Sequence, residues 1–186
     1  EAVSAAGVAD LAVAELRGDG KMNLNRVMQH LSSGDTAVRR AFPSHTLDAI
    51  ERAIREAEAM HTGQIRFAVE SALDLKPLLA GQTARGRAVE VFSQLRVWDT
   101  EYYNGVLIYL LLADRDVEIV ADRGINARLG KEAWEEICRG MEAAFRDGRF
   151  EQGVLAGIRS VGQHLGRHYP HAGVKPNELA DRPVLM

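Results

Sequence analysis

Two carboxylates, a carboxamide and three aromatic rings crowd into Trp98-Asp99-Thr100-Glu101-Tyr102-Tyr103-Asn104-Gly105. Carboxylate and amide oxygens that converge on a loop suit a hard cation such as Ca²⁺ or Mg²⁺. Farther along, Asp122-Arg123-Gly124 supplies another carboxylate and a guanidinium. If the chain between them folds back on itself, both groups return to the end of the sheet where the loop sits. Asp99, Glu101, Asn104 and Asp122 are then the expected cation ligands, and Arg123 the group that would meet a phosphate. The same residues also read as a capped, turn-rich loop held by stacked aromatics, and the sequence leaves both readings open.

Other constellations are weaker. Leu110–Val117, LLLADRDV, imitates an apolar strand followed by the D-x-D of aspartyl phosphatases, with Asp114 as nucleophile and Asp116 as acid/base. Glu118 stands where that pattern wants Thr or Val, and no later Gly-Asp-x-x-x-Asp supplies metal ligands. A polar hairpin turn is the reading adopted, since Asp is a common turn former. Gly81-x-x-x-x-Gly86 is half a phosphate loop, but Arg87-Ala88 replaces the Lys and hydroxyl that hold phosphate and Mg²⁺. His164 and His168 have zinc-ligand spacing near a helix end, with His171 beyond. Helix capping explains them more simply. Cys138 lies mid-helix beside an apolar stripe and reads as an inert thiol.

These groups need a frame. Gly105 to Leu112 is almost unbroken apolar chain, too short to cross a membrane and suited to a central strand covered on both faces. The acidic turn at 114–116 then sends Val117–Ala121 back antiparallel. Gln64–Glu70 alternates, with Ile65, Phe67 and Val69 on one side, and predicts a strand parallel to 105–112. Arg85–Leu95 bridges them as a helix with Ala88, Val91, Phe92 and Leu95 inward. Leu24, Val27, Met28 and Leu31 predict a short amphipathic helix, followed by helices at 36–41 and 44–61. Trp134, Ile137, Met141 and Phe145 stripe a helix over 131–146, and 151–168 forms the last. Pro170, Pro176 and Pro183 mark 169–186 as a coil tail. The organisation expected is a helical extension over 1–42, a domain over 43–168 and that tail.

Composition narrows the classes. The 186 residues are 46% hydrophobic and carry a net charge of −3, so no basic field invites nucleic acid. A single cysteine excludes an intrachain disulfide and is compatible with a reducing compartment. Residues 1–21 are Ala-rich but carry Asp10, Glu15 and Arg17 and do not read as a signal peptide. They read as an extension, a tag or a processed remnant, and are expected to be dispensable.

The block VFSQLRVWDTEYYNGVLIYLLLADRDVEIVADRGI, with the Trp134 helix and Phe150–Gly157 after it, resembles the TPM-domain family over roughly residues 44–168. The matching features are an apolar helix leading to a Trp, Asn-Gly opening an aliphatic strand, a second strand ending in Gly, and two closing helices. That family includes a thylakoid-lumen protein proposed to act as an acid phosphatase, bacterial envelope proteins and an animal accessory protein of receptor channels. The resemblance implies an α/β/α sandwich around a small mixed sheet, with the extra N-terminal helices outside it. It also implies cation binding or phosphatase-like activity. The secretory segment and glycine-rich anchored tail of many bacterial members are not matched, so a short soluble, cytoplasmic form is expected. Two functions follow. One is a divalent-cation-binding adaptor for a protein partner, membrane-bound or of a stress response. The other is a weak metal-dependent phosphomonoester hydrolase.

Overall fold

The protein is described by a computed structural model over residues 24–170 and 176–186. The expected dispensability of 1–21, and His171, lie outside the described residues. Three helices come first: α1 (Leu24–Ser32), α2 (Asp35–Ala41) and α3 (Ser44–Glu58). Strand β1 (Gln64–Glu70), helices α4 (Leu75–Leu79) and α5 (Ala84–Gln94), and strand β2 (Gly105–Leu111) follow. Strand β3 (Asp116–Ala121) then leads into α6 (Arg123–Leu129), α7 (Lys131–Arg146), α8 (Phe150–His168) and the two-residue β4 (Val184–Leu185).

The sheet runs β3-β2-β1-β4. β1 lies parallel to β2, from Gln64 beside Gly105 to Glu70 beside Leu111. β3 returns antiparallel, from Val106 beside Ala121 to Leu111 beside Asp116. Every residue of β2 is buried, as its unbroken apolar sequence requires of a strand covered on both faces.

Side-chain alternation divides the core into two layers. Ile65, Phe67, Val69, Val106, Ile108, Leu110, Val117 and Ile119 pack with the apolar stripes of α3, α7 and α8. Ala68, Leu107, Tyr109, Leu111 and Val120 pack on the other side with Val27, Leu78, Ala84, Ala88 and Val91. The result is the three-layer α/β/α sandwich expected from the sequence.

Three sequence expectations need correction. The tail is not coil throughout: Val184 and Leu185 pair parallel with Ala68 and Val69. The main chain supplies the reason, since Met186 N donates to Val69 O and Ser71 N donates to Met186 O, filling an otherwise open edge of β1. The α1 stripe does not face inward; Leu24, Met28 and Leu31 are exposed, while Val27 and His30 are buried. Finally, Gly124 does not close the second strand: Asp122-Arg123-Gly124 is the cap and first turn of α6.

At the opposite edge of the sheet, side chains engage the middle of β3. An Arg85 guanidinium N–H donates to the Ile119 carbonyl at 2.6 Å. The Cys138 thiol is held at the Ile119 main chain too, and burial pushes its pKa up to about 12. Ile119 is thus engaged on the side of β3 away from β2.

Candidate functional site

The Trp98–Asn104 loop sits where β2 begins. Its geometry is fixed by Val97, fully buried, whose carbonyl lies over Gly105. A Cβ on Gly105 would stand 1.9 Å from that oxygen, so only glycine lets the two backbones approach. Asp99 N donates to Arg96 O, Tyr103 N to Thr100 O, and Asn104 N to the Thr100 hydroxyl at 3.1 Å. Arg96 and Tyr103 both adopt φ of 51°, a left-handed backbone that non-glycine residues take only at some cost. The loop is therefore constrained from both ends.

Within this frame the expected ligands separate. Asn104 is fully buried and Asp122 is 8% exposed. Their backbones meet, because Asp122 N donates to Gly105 O at 2.9 Å. Asp122 caps α6, its Oδ1 accepting from Arg123 N at 2.6 Å. Asn104 Nδ2 donates to the Thr62 hydroxyl at 3.3 Å. Each residue has one oxygen left over: Asn104 Oδ1 and Asp122 Oδ2 are buried without a hydrogen-bond partner. Asp99 and Glu101 stand outside, on the exposed surface of the loop. Glu101 contacts Tyr102, and its negative charge, aided by a hydrogen bond, raises the pKa of that phenol. Arg123 lies over the Tyr103 ring at 4.3 Å, an arrangement that holds both side chains at the surface.

Other oxygens at this end escaped the sequence. The carbonyls of Tyr103 and Tyr102 lie 2.4 Å and 3.1 Å from where a Gly124 Cβ would be, so they press on the first turn of α6. Main-chain carbonyls leave no trace in residue type. Glu178, from the tail, accepts from Glu101 N at 2.8 Å. The main chain of Glu178 and Leu179 is fastened in turn by the Gln64 side-chain carbonyl. Among the described residues no three Asp, Glu, His or Cys side chains converge. The donors available here are one carboxylate, one carboxamide and peptide carbonyls. All are hard oxygens, the class that Ca²⁺ and Mg²⁺ take.

Asp114 and Asp116 occupy the opposite end of β2. Asp114 accepts from Arg26 at 2.9 Å and from His30 Nε2 at 2.9 Å. His30 Nδ1 accepts from Leu73 N at 2.9 Å, so the ring proton sits on Nε2 and points at the carboxylate. Burial alone would raise the Asp114 pKa, but the hydrogen bonds from Arg26 and His30 outweigh it and hold the carboxyl below its ordinary range. Asp116 goes the other way: burial, then the neighbouring Glu118, Glu142 and Asp114 charges, push it up to about 6. Asp114 thus lies in the polar turn between β2 and β3 that the sequence predicts, paired there to an arginine and a histidine. His164 is tilted against Trp134, ring centroids 6.3 Å apart, and burial lowers its pKa.

A charged network lies buried beneath α5. Arg87 grips Glu70 with Nε and an Nη, and the Tyr109 hydroxyl donates to the same carboxylate at 2.6 Å. The hydrogen bond to Glu70 raises the Arg87 pKa, and burial raises that of Tyr109.

Comparisons with known proteins agree with the fold. No curated protein sequence matches the chain. The solved structure of the BA42 protein from the psychrophilic bacterium Bizionia argentinensis is similar, with a TM-score of 0.69 and 29% identity over 78% of this chain and 95% of that one. The N-terminal domain of a P. gingivalis protein shares the fold, with a TM-score of 0.55 and 18% identity over 70% of this chain and 82% of that one. The sequence profile of the TPM domain matches residues 39–164, from α2 to the last turns of α8. With β1 to β3, the helices α3 to α8, the Asn-Gly opening of β2 and the Asp122 cap nearly all inside that span, the chain belongs to the TPM-domain family.

Proposed function

We propose that this chain is a docking module whose binding loop is ordered by a divalent cation, Ca²⁺ or Mg²⁺, and that it catalyses nothing. The observation that carries the reading is the pair of buried, unpartnered oxygens, Asn104 Oδ1 and Asp122 Oδ2. Leaving a buried acceptor unsatisfied costs about 1–3 kcal/mol, more when it is charged. A hard cation would satisfy both, with the Tyr102 and Tyr103 carbonyls as neutral ligands and Asp99 and Glu101 on the rim. The docking half rests on the aromatics. Trp98, Tyr102 and Tyr103 are 48%, 50% and 48% exposed on one loop. Such side chains anchor interfaces when a partner covers them. The partner expected from the family is a protein, membrane-bound or of a stress response. A cytoplasmic location belongs to the same proposal. Among the described residues, no helix is long and apolar enough to cross a membrane.

Thermal melting with and without metal tests the cation. Binding only to the folded state adds about 2.7 kcal/mol at 100 times the dissociation constant. Millimolar Ca²⁺ or Mg²⁺ should therefore raise the wild-type midpoint by several degrees. Asp122→Asn keeps a capping oxygen and removes the charge; it should melt near the apo wild type and lose the metal response. No wild-type shift at millimolar metal rejects the site.

The alternative is a weak cation-dependent phosphomonoester hydrolase, in which metal would offset charge on the transferring phosphoryl and Arg123 would meet the phosphate. Stacking of Arg123 on Tyr103 weighs against it. Metal-dependent turnover of p-nitrophenyl phosphate, lost in Asp122→Asn, would favour the hydrolase over the docking module.

A further inference from the structure

We propose a second ligand site along β3, for a linear ω-ammonium carboxylate: an ω-amino acid, or the C-terminal lysine of a peptide. A cavity of about 580 Å³ lies there between β3 and α7. Its two ends differ in chemistry. At one end stand Gly130, Lys131 and Trp134, where α7 begins. Trp134 is 5% exposed, and its Nε1 is buried without a hydrogen-bond partner. An indole N–H can only donate, and a buried one ordinarily finds an acceptor, so this one suits an acceptor from outside the chain. The positive pole of α7 lies at the same end, and its N-cap, Gly130, has no side chain to cover it. At the other end stand Asp116 and Glu142. Neither forms a hydrogen bond or ion pair among the described residues. Burial and the charges of Glu118 and Glu142 push Asp116 up to about 6, so these acids stand within one another's fields. The cations that line the cavity are already engaged. Arg85 pairs with Glu118 at 3.3 Å, and Lys131 and Arg139 pair with Glu135 at 3.0 Å and 3.9 Å. The protein thus leaves open a donor at one end and two carboxylates at the other.

Spacing sets the length of the ligand. Trp134, Cys138 and Glu142 recur at i, i+4 and i+8 and share one face of α7, and all three line the cavity. From Trp134 to Glu142 the helix rises roughly 12 Å. A hydrogen bond of about 2.9 Å at each end leaves roughly 6 Å for a chain of methylenes. Val117, Ile119 and Cys138 line the stretch between and give that chain an apolar wall. A free α-ammonium would fall beside Lys131, so the carboxylate end of the ligand is acylated or bare. This site is independent of the cation reading, because it uses none of residues 98–104 or 122–124.

NMR titration of the ¹⁵N-labelled full chain reads the site at the Trp134 indole N–H, with Trp98, the second of the two tryptophans, as control in the same spectrum. 6-Aminohexanoate should move the Trp134 indole resonance and leave that of Trp98 in place. It should bind at least tenfold more tightly than hexanoate or hexylamine, which carry one end each, and should lower the Asp116 pKa from about 6. Glu142→Gln, which breaks no contact of the fold, should weaken it about tenfold. Trp134→Phe, which keeps a ring and loses the N–H, should weaken it too. Nα-acetyl-lysine binding more tightly than 6-aminohexanoate assigns the site to a peptide's C-terminal lysine, and the reverse order to a free ω-amino acid. A Trp134 indole that stays in place at millimolar 6-aminohexanoate, hexanoate or hexylamine binding equally well, or unchanged affinity in Glu142→Gln would each overturn the proposal.

Discussion

Asp114 and Asp116 are separated by one residue and are pushed in opposite directions. Asp114 gains a guanidinium and an imidazole N–H. Asp116 gains only burial and the company of Glu118 and Glu142. The folded chain therefore binds a proton at Asp116 more tightly than the unfolded chain does, over the window between its ordinary 3.8 and about 6. Stability from that proton is present at the acid end and lost as pH rises through the window. Asp114 contributes the reverse, stability present above the ordinary carboxylate range and lost as the pH falls. Urea midpoints of wild type and Asp116→Asn between pH 4 and 7 separate the two. The variant should gain on the wild type as pH rises from about 4 to 6, then stay level. Parallel curves would show that Asp116 titrates in the folded state as it does in a peptide.

At the scale of the element, α1 shows how a polar contact can override an apolar stripe. Its sequence aims Leu24, Met28 and Leu31 at a core, yet Arg26 and His30 fasten it to the sheet through Asp114, and Gln29 adds a bond to the Ala113 carbonyl. Asp114→Ala should remove that anchor and leave the Leu73 amide with a less firmly held His30. The expected cost is about 2 kcal/mol, in the range for losing charged hydrogen bonds at a part-buried site. Hydrogen exchange should speed up across 24–32 and leave β2 amides protected; uniform acceleration would mean that α1 is integral to the core. The same comparison shows what the sequence can reveal. Strands β1 and β3 and helices α5, α7 and α8 were legible because periodicity reports burial, and β2 because its run is apolar on both faces. Helix α6 was hidden by Gly124, a poor helix former kept because the Tyr102 and Tyr103 carbonyls press on it. For the candidate site, Asn104 and Asp122 were legible as residue types at a turn and a strand end. The carbonyl oxygens and the contribution of Glu178 were not, since they depend on backbone direction and on a tail brought from far along the chain.

Over the whole molecule, the tail is a strap along β1. Leu179 is buried, Asp181 takes hydrogen bonds from Arg55 and Asn177, and Arg66 reaches the Ala180 carbonyl. Removing 176–186 should uncover the outer main chain of β1, lower the melting midpoint and drive self-association, since open strand edges pair with one another. Light scattering at rising concentration reads the second effect; a monomeric truncated protein of unchanged midpoint would reduce the strap to decoration. With the strap on one side and Arg85 and Cys138 at Ile119 on the other, each edge of the sheet carries an obstacle to strand addition. On the docking reading proposed above, recognition falls to side chains beyond the strand edges, Trp98, Tyr102 and Tyr103 among them. Scaffold and proposed docking surface are then uncoupled: a change at Trp98 or Tyr102 would touch no hydrogen bond of the sheet. One frame can be inherited across lineages while what it binds diverges.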